Sequence, residues 1–255
     1  MKAIAIIPAR MGSSRFPGKP LAKICGIPMV GHCYYRTSMC KDLTETYVAT
    51  CDKEIYDYIQ SIGGEAVMTS DSHERASDRT AEAMLKIEDH IHESVDVVVM
   101  VQGDEPLVTP QMISQSLKPF SDPTVKVVNL MANIELIEHF EDPNEIKVVV
   151  NDQSDAIYFS RSPIPSRTRG IKEAPMFKQV CIIPYRRDYL IEFNSLEETL
   201  LERCESIDML RVIENGEKVR MSLTTEASYS VDTKARLKFV ESIMENDSLL
   251  HYYSN

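Results

Sequence analysis

The residues best suited to chemistry lie in the segment Ala9–Pro20, ARMGSSRFPGKP. Arg10, Arg15 and Lys19 supply cations there, and Gly12 and Gly18 let a ligand approach exposed backbone N–H groups closely. That combination suits a triphosphate, which carries about four negative charges at neutral pH. A P-loop is excluded: it needs G-x-x-x-x-G-K-[ST], whereas five residues separate Gly12 from Gly18 and Pro20 follows Lys19.

Two acidic positions could complement this loop. In VQGDEP, Val101–Pro106, an acid at the end of an apolar run can hold Mg²⁺ against phosphate oxygens. Asp104 is the preferred ligand, because a turn after the strand points Glu105 elsewhere. In SVDT, Ser230–Thr233, Asp232 reads either as a second metal ligand or as the cap of a helix beginning near Lys234. No G-x-S-x-G elbow is present, and His90 and His92 on one helix point to different faces, so neither serine hydrolysis nor a histidine metal site is supported.

The elements that must position these groups follow from hydrophobic patterning. Ala3–Pro8, Thr46–Ala49, Glu65–Met68 and Val95–Val101 read as strands; Pro28–Met39, Lys53–Ile62 and Ser77–His92 read as helices, the last capped by Ser77 or Asp78. Their alternation predicts an α/β fold, a mainly parallel sheet flanked by helices. Lys126–Ile134, Ile146–Val150, Ile157–Phe159 and Val180–Tyr185 continue as strands, and Leu196–Arg211 as one helix. The expected organisation is a single domain over 1–255 with a smaller lobe within 126–190. The Pro-rich, basic Pro163–Pro175 is a mobile excursion or part of a dimerisation lobe, and the chain is expected to fray from about Asn246.

Composition narrows the partners. The 28 Lys and Arg against 39 Asp and Glu give a formal net charge of -11, which disfavours nucleic acid or an anionic membrane as main partner. Six cysteines without a CxxC pair suggest reduced, mostly buried thiols, and no apolar stretch nears the roughly 20 residues of a membrane span. A soluble cytoplasmic chain is the expectation.

Over nearly its whole length the sequence resembles the CMP-Kdo synthetases, the 3-deoxy-manno-octulosonate cytidylyltransferases. The matching segments are IIPARMGSSRFPGKPLAKICGIPMV, VATCD, VMTSDSH, VQGDEPLV, DPNEIKVVV, YFSRSPIP, MLRVIENGEKV and SVDT. The resemblance implies a nucleotide-diphospho-sugar transferase-like fold, a homodimer, and CMP transfer from CTP to a 2-keto-3-deoxy sugar acid with Mg²⁺. It implies that Arg10, Ser13, Arg15 and Lys19 contact CTP, that Gln102 lies near the acceptor or base, and that Asp104 and Asp232 hold metal.

Departures from the family pattern cluster on the acceptor side. RASDR, Arg75–Arg79, stands where the family carries an SGTER-like segment, with Arg79 retained. QVCIIPYRR, Gln179–Arg187, stands where it carries HLGIYGYR, and Asp208-Met209-Leu210-Arg211 where it carries E-Q-L-R. Arg79, Arg161, Gln179, Tyr185 and Asp208 are therefore the candidate acceptor residues, with Arg186 as a further cation. The substitutions either change the acceptor, toward an acid with fewer hydroxyls or a small anion such as a phosphonate, or fall where residues merely pack. A metal-dependent glycosyltransferase of similar fold is the second alternative; the cationic loop favours a triphosphate over a diphospho-sugar.

Overall fold

The protein is described by a computed structural model that covers residues 1–12, 16–168 and 174–254. It divides into two compact units, Met1–Ser114 with Ala227–Asn255, and Gln115–Glu226.

The first unit opens with β1 (Ala3–Ala9), a small hairpin of β2 (Lys23–Ile24) and β3 (Ile27–Pro28), and α1 (Met29–Ser38). β4 (Glu45–Thr50), α2 (Lys53–Ser61), β5 (Glu65–Met68), α3 (Ala76–Ile91) and β6 (Val97–Val101) follow, and the unit boundary falls within α4 (Pro110–Leu117). The order β5-β4-β1-β6 is parallel throughout. All residues of β1 and β6 are buried, as their unbroken apolar runs require of strands covered on both faces.

The second unit contains β7 (Val127–Asn133), α5 (Ile137–Glu141), β8 (Lys147–Val150), β9 (Ala156–Ser160), β10 (Phe177–Val180) and β11 (Ile182–Arg186). It continues through α6 (Arg187–Ser195), α7 (Leu200–Glu205), α8 (Met209–Glu214) and β12 (Val219–Thr224). Here antiparallel pairs dominate, β12 alongside β7 being the parallel pair. The unit is larger than a lobe within 126–190, because β12 returns to pair with β7 along its length. The chain then re-enters the first unit through α9 (Lys234–Met244).

Three local expectations are corrected. The single helix over Leu196–Arg211 is two helices, since Ser206 takes a left-handed conformation (φ 54°) that ends α7. α3 starts at Ala76 with Arg75, not Ser77 or Asp78, in the cap position, and Asp78 instead accepts from Arg75 Nε at 3.1 Å. The chain end is tied down rather than frayed: Asp247 pairs with the buried Arg36 at 2.7 Å, and the Tyr253 hydroxyl lies 2.9 Å from His32 Nδ1.

Among the described residues, no helix is long and apolar enough to cross a membrane. All six cysteines are free thiols. Most of the Pro163–Pro175 segment is described, but 169–173 lie outside the described residues.

Candidate active site

A cleft of about 320 Å³ opens in the first unit at the C-terminal ends of β1 and β6, where open parallel sheets place ligands. Arg10, Gly12, Lys19, Arg79, Gln102, Asp104 and Asp232 all line it. Seven candidates scattered over more than 200 residues of sequence are thus brought to one cavity. Ser13 and Arg15 lie outside the described residues.

The loop after β1 is held at both ends. The Met11 N–H donates to Asp52 Oδ2 at 2.7 Å, which explains the acid in VATCD, and the Gly18 N–H donates to Met11 O at 3.2 Å. Gly18 has φ 72°, a conformation that favours glycine, and Pro20 helps wind the short turn that carries Lys19. Phe16 anchors the loop in a core cluster with Ile24, Met29, Leu107, Val231, Val240 and Met244.

That cluster also explains why Asp232 meets Asp104. Val231 is fully buried in it beside Leu107, and its N–H donates to Asp104 O at 2.9 Å, so the neighbouring Asp232 turns toward the cleft. The cap of α9 is Thr233, whose side chain accepts from the Arg236 N–H at 3.1 Å; the capping alternative for Asp232 is set aside. Glu105 is buried and accepts from Ser228 Oγ at 2.8 Å, so it points away as the turn suggested.

Lys19 Nζ bridges the two acids, 2.6 Å from Asp104 Oδ2 and 3.2 Å from Asp232 Oδ1. Burial opposes the charge of Lys19, but attraction to Asp104 and then Asp232 outweighs it and holds its pKa above the ordinary value. Asp104 Oδ1 is buried without a hydrogen-bond partner among the described residues. A hard, anionic oxygen left in this state, beside a second carboxylate, fits Mg²⁺, which takes one or two carboxylates and completes its shell with phosphate oxygens and water. No group of three or more His, Cys, Asp or Glu side chains among the described residues could hold a metal by itself.

The opposite wall comes from the segment before α3. Arg79 is 2 % exposed and donates to Thr69 Oγ1, to Ser70 O at 3.2 Å and to His73 O at 3.3 Å. Arg10 is exposed and reaches the same His73 carbonyl at 3.5 Å. His73, Glu74 and Gly103 also line the cleft without having been singled out from the sequence, and Arg75, in the RASDR segment placed on the acceptor side, joins them. Gly103 had a signal: VQGDEP places a glycine just where the chain must leave β6 against β1, and a Cβ there would stand 3.0 Å from Pro8 O.

Arg161, Gln179, Tyr185 and Asp208 lie in the second unit. Arg161 directs its guanidinium to the carbonyls of Glu205, Pro143 and Ser206, and Arg186 does likewise to those of Val125, Phe120 and Asp122. Gln179 Nε2 donates to Asn129 Oδ1 at 2.6 Å. Tyr185 is fully buried, and burial drives its hydroxyl pKa well above the ordinary value. Asp208 occupies the cap position of α8 without a side-chain capping bond.

The profile of the cytidylyltransferase family matches residues 4–219. The 3-deoxy-manno-octulosonate cytidylyltransferase of Trichlorobacter lovleyi is 40% identical over 244 residues, covering 91% of this chain and 94% of its own. That of Escherichia coli is 40% identical over 247 residues, covering 96% and 97%. Among solved structures, a CMP:2-keto-3-deoxy-manno-octonic acid synthetase complexed with CTP superposes with a TM-score of 0.88 at 40% identity, over 96% of this chain and 99% of that one. A glucose-1-phosphate thymidylyltransferase from Bacillus anthracis shares the fold at a TM-score of 0.67 and 15% identity, over 96% of each chain.

Proposed function

We infer the reaction from a fixed premise: the chain belongs to the cytidylyltransferase family, as a nucleotidyltransferase related to the 3-deoxy-manno-octulosonate cytidylyltransferases. It transfers CMP from CTP to 3-deoxy-manno-octulosonate, a 2-keto-3-deoxy sugar acid, and releases pyrophosphate. The observation that carries this reading is the single cleft in which Arg10, Lys19, Arg79, Gln102, Asp104 and Asp232 converge, in a fold that superposes on a CTP-bound synthetase.

In this reading the anomeric hydroxyl of the acceptor attacks the α-phosphorus in line. The bond from that phosphorus to the oxygen bridging the α- and β-phosphates breaks, and pyrophosphate leaves carrying that oxygen. The hydroxyl proton passes to solvent, and no covalent enzyme intermediate forms. Arg10, Lys19 and the loop of Gly12, Ser13 and Arg15 hold the triphosphate, and Gln102 faces the base or acceptor. Arg79, Arg161, Gln179, Tyr185 and Asp208 are assigned to the acceptor by the resemblance. Asp104 and Asp232 would hold Mg²⁺, whose charge polarises the phosphoryl oxygens and offsets the charge developing on pyrophosphate. Catalysis is then positioning and charge neutralisation. The enzyme is assigned as a homodimer acting in the cytoplasm, in keeping with its free thiols.

The test is pyrophosphate release from CTP, with and without the sugar acid and Mg²⁺. Release is expected only with all three. Asp104→Ala is expected to lower it at least about a hundredfold, the scale of losing one strong electrostatic group. Release that ignores the acceptor, or full turnover by D104A, sinks the assignment.

A further inference from the structure

Two of the guanidiniums at the cleft, those of Arg10 and Arg79, depend on one irregular segment. His73 O accepts from Arg10 at 3.5 Å and from Arg79 at 3.3 Å; Ser70 O and Thr69 Oγ1 accept from Arg79 as well. Residues 69–75 lie between β5 and α3; the Thr69 N–H still donates to Thr50 O of β4 at 2.8 Å, but beyond it no ladder or helix bond among the described residues holds the Ser70 and His73 carbonyls.

A single carboxylate does. Glu82, one turn beyond Arg79 on α3, accepts the Ser70 N–H with both oxygens, at 3.0 and 3.2 Å, and pairs with His73 Nε2. Lys86, four residues on, lies 2.7 Å from Glu82 Oε1 and also donates to Met68 O at 2.8 Å. The segment is therefore stapled to α3 at Met68, Ser70 and His73. Glu82 is not among the residues that line the cleft.

We propose that Glu82 is a positioning residue for cytidylyl transfer: through Ser70 and His73 it fixes the carbonyls that aim Arg10 and Arg79 at the bound substrates. The proposal rests on the cytidylyltransferase reading of the same cleft. A carboxylate suits the task because charge-assisted bonds are short and hold direction, and because one planar group can grip an N–H, a ring nitrogen and an ammonium together. Desolvation opposes its charge, yet bonds from Lys86, Ser70 and His73 prevail and bring its pKa to about 2, so the staple stays ionised at working pH. Without it Arg10 and Arg79 keep their charge but lose a fixed direction, and binding of the anionic substrates suffers more than the chemical step.

Steady-state kinetics of the full-length protein, with Mg²⁺, CTP and the sugar acid, separate the roles. E82Q, which keeps one oxygen for Ser70, and H73A, which keeps the His73 carbonyl, are expected to raise KM for CTP about tenfold, the scale of losing a supporting contact to a binding group. The effect on kcat is expected to be smaller. The double variant is expected to match the worse single variant, because both act through one staple. Calorimetric CTP binding should weaken in parallel, with folding monitored by circular dichroism. Unchanged KM, or effects that multiply, overturns the role of Glu82 while wild-type turnover leaves the reaction intact. Wild-type protein that transfers no CMP overturns the reaction, and the positioning role with it. Two independent variants, one isosteric and one a truncation, guard against one failing to fold.

Discussion

Lys19 Nζ sits 2.6 Å from Asp104 Oδ2, and the same ammonium reaches Asp232 at 3.2 Å, so one lysine is the counter-ion of both proposed metal ligands. A divalent ion held by these carboxylates would have to displace it, and a triphosphate would offer the displaced ammonium a new partner. Metal and nucleotide are thus expected to bind together. Lys19→Gln removes the internal competitor, so nucleotide-free protein should bind Mn²⁺ tighter by about tenfold, or about 1.4 kcal/mol, while turnover falls. Titration calorimetry checks the first and pyrophosphate release the second. Weaker Mn²⁺ binding by K19Q would show that the lysine does not compete.

Glu82 sets a second expectation, in acid. Its folded-state pKa is lowered from the ordinary 4.5 to about 2, so its contribution to stability is present above the unfolded value and is lost as pH falls through the folded one. The difference in melting temperature between wild type and E82Q should be constant near neutrality. It should shrink below about 4.5 and vanish near about 2. A difference that persists unchanged to the acid limit excludes an ionised Glu82 as its source.

Gly103 tests the floor of the cleft. A Cβ there would lie 3.0 Å from Pro8 O and 3.5 Å from Ala9 Cβ, and a strand carbonyl cannot swing aside as a side-chain end can. Gly103→Ala should force the turn after β6 away from β1, at about 1–3 kcal/mol, and displace Asp104 with it. Thermal melts and turnover should both fall. Wild-type values of both would mean that the turn relaxes freely.

The parts of the site that the sequence displays share a physical cause. β1 and β6 are buried on both faces, so their apolar runs are unbroken, and the loops leaving them carry the charges that such strands cannot. Asp104 and Lys19 were readable for that reason. Asp232 was ambiguous because SVDT offers two oxygens to one helix end, and only the burial of Val231 and the bond from Arg236 to Thr233 decide which residue caps. The staple at Glu82 was hidden in a helical pattern, where a glutamate facing a loop reads like one facing solvent. The break in Leu196–Arg211 was hidden too, since Ser206 bears no sign of its left-handed conformation. Long-range ties leave no periodic trace, and the chain end shows this most clearly.

Asp247 is that tie. Its carboxylate meets Arg36 Nη1 at 2.7 Å, and the Arg36 side chain is only 1% exposed, its Nε donating to Val108 O at 2.7 Å. A guanidinium so buried keeps its charge and depends on its partners for compensation. Removing one partner of a buried pair typically costs about 3–5 kcal/mol, because the other charge is left uncompensated. Asp247 is partly exposed, at 19%, so water recovers some of this and Asp247→Asn should cost about 2 kcal/mol. Denaturant unfolding of D247N against wild type measures it. Replacing Arg36 by Met as well should restore much of the loss, since the charge and its need for compensation leave together. If D247N unfolds as wild type does, the chain end frays after all, and the pair contributes nothing to the fold.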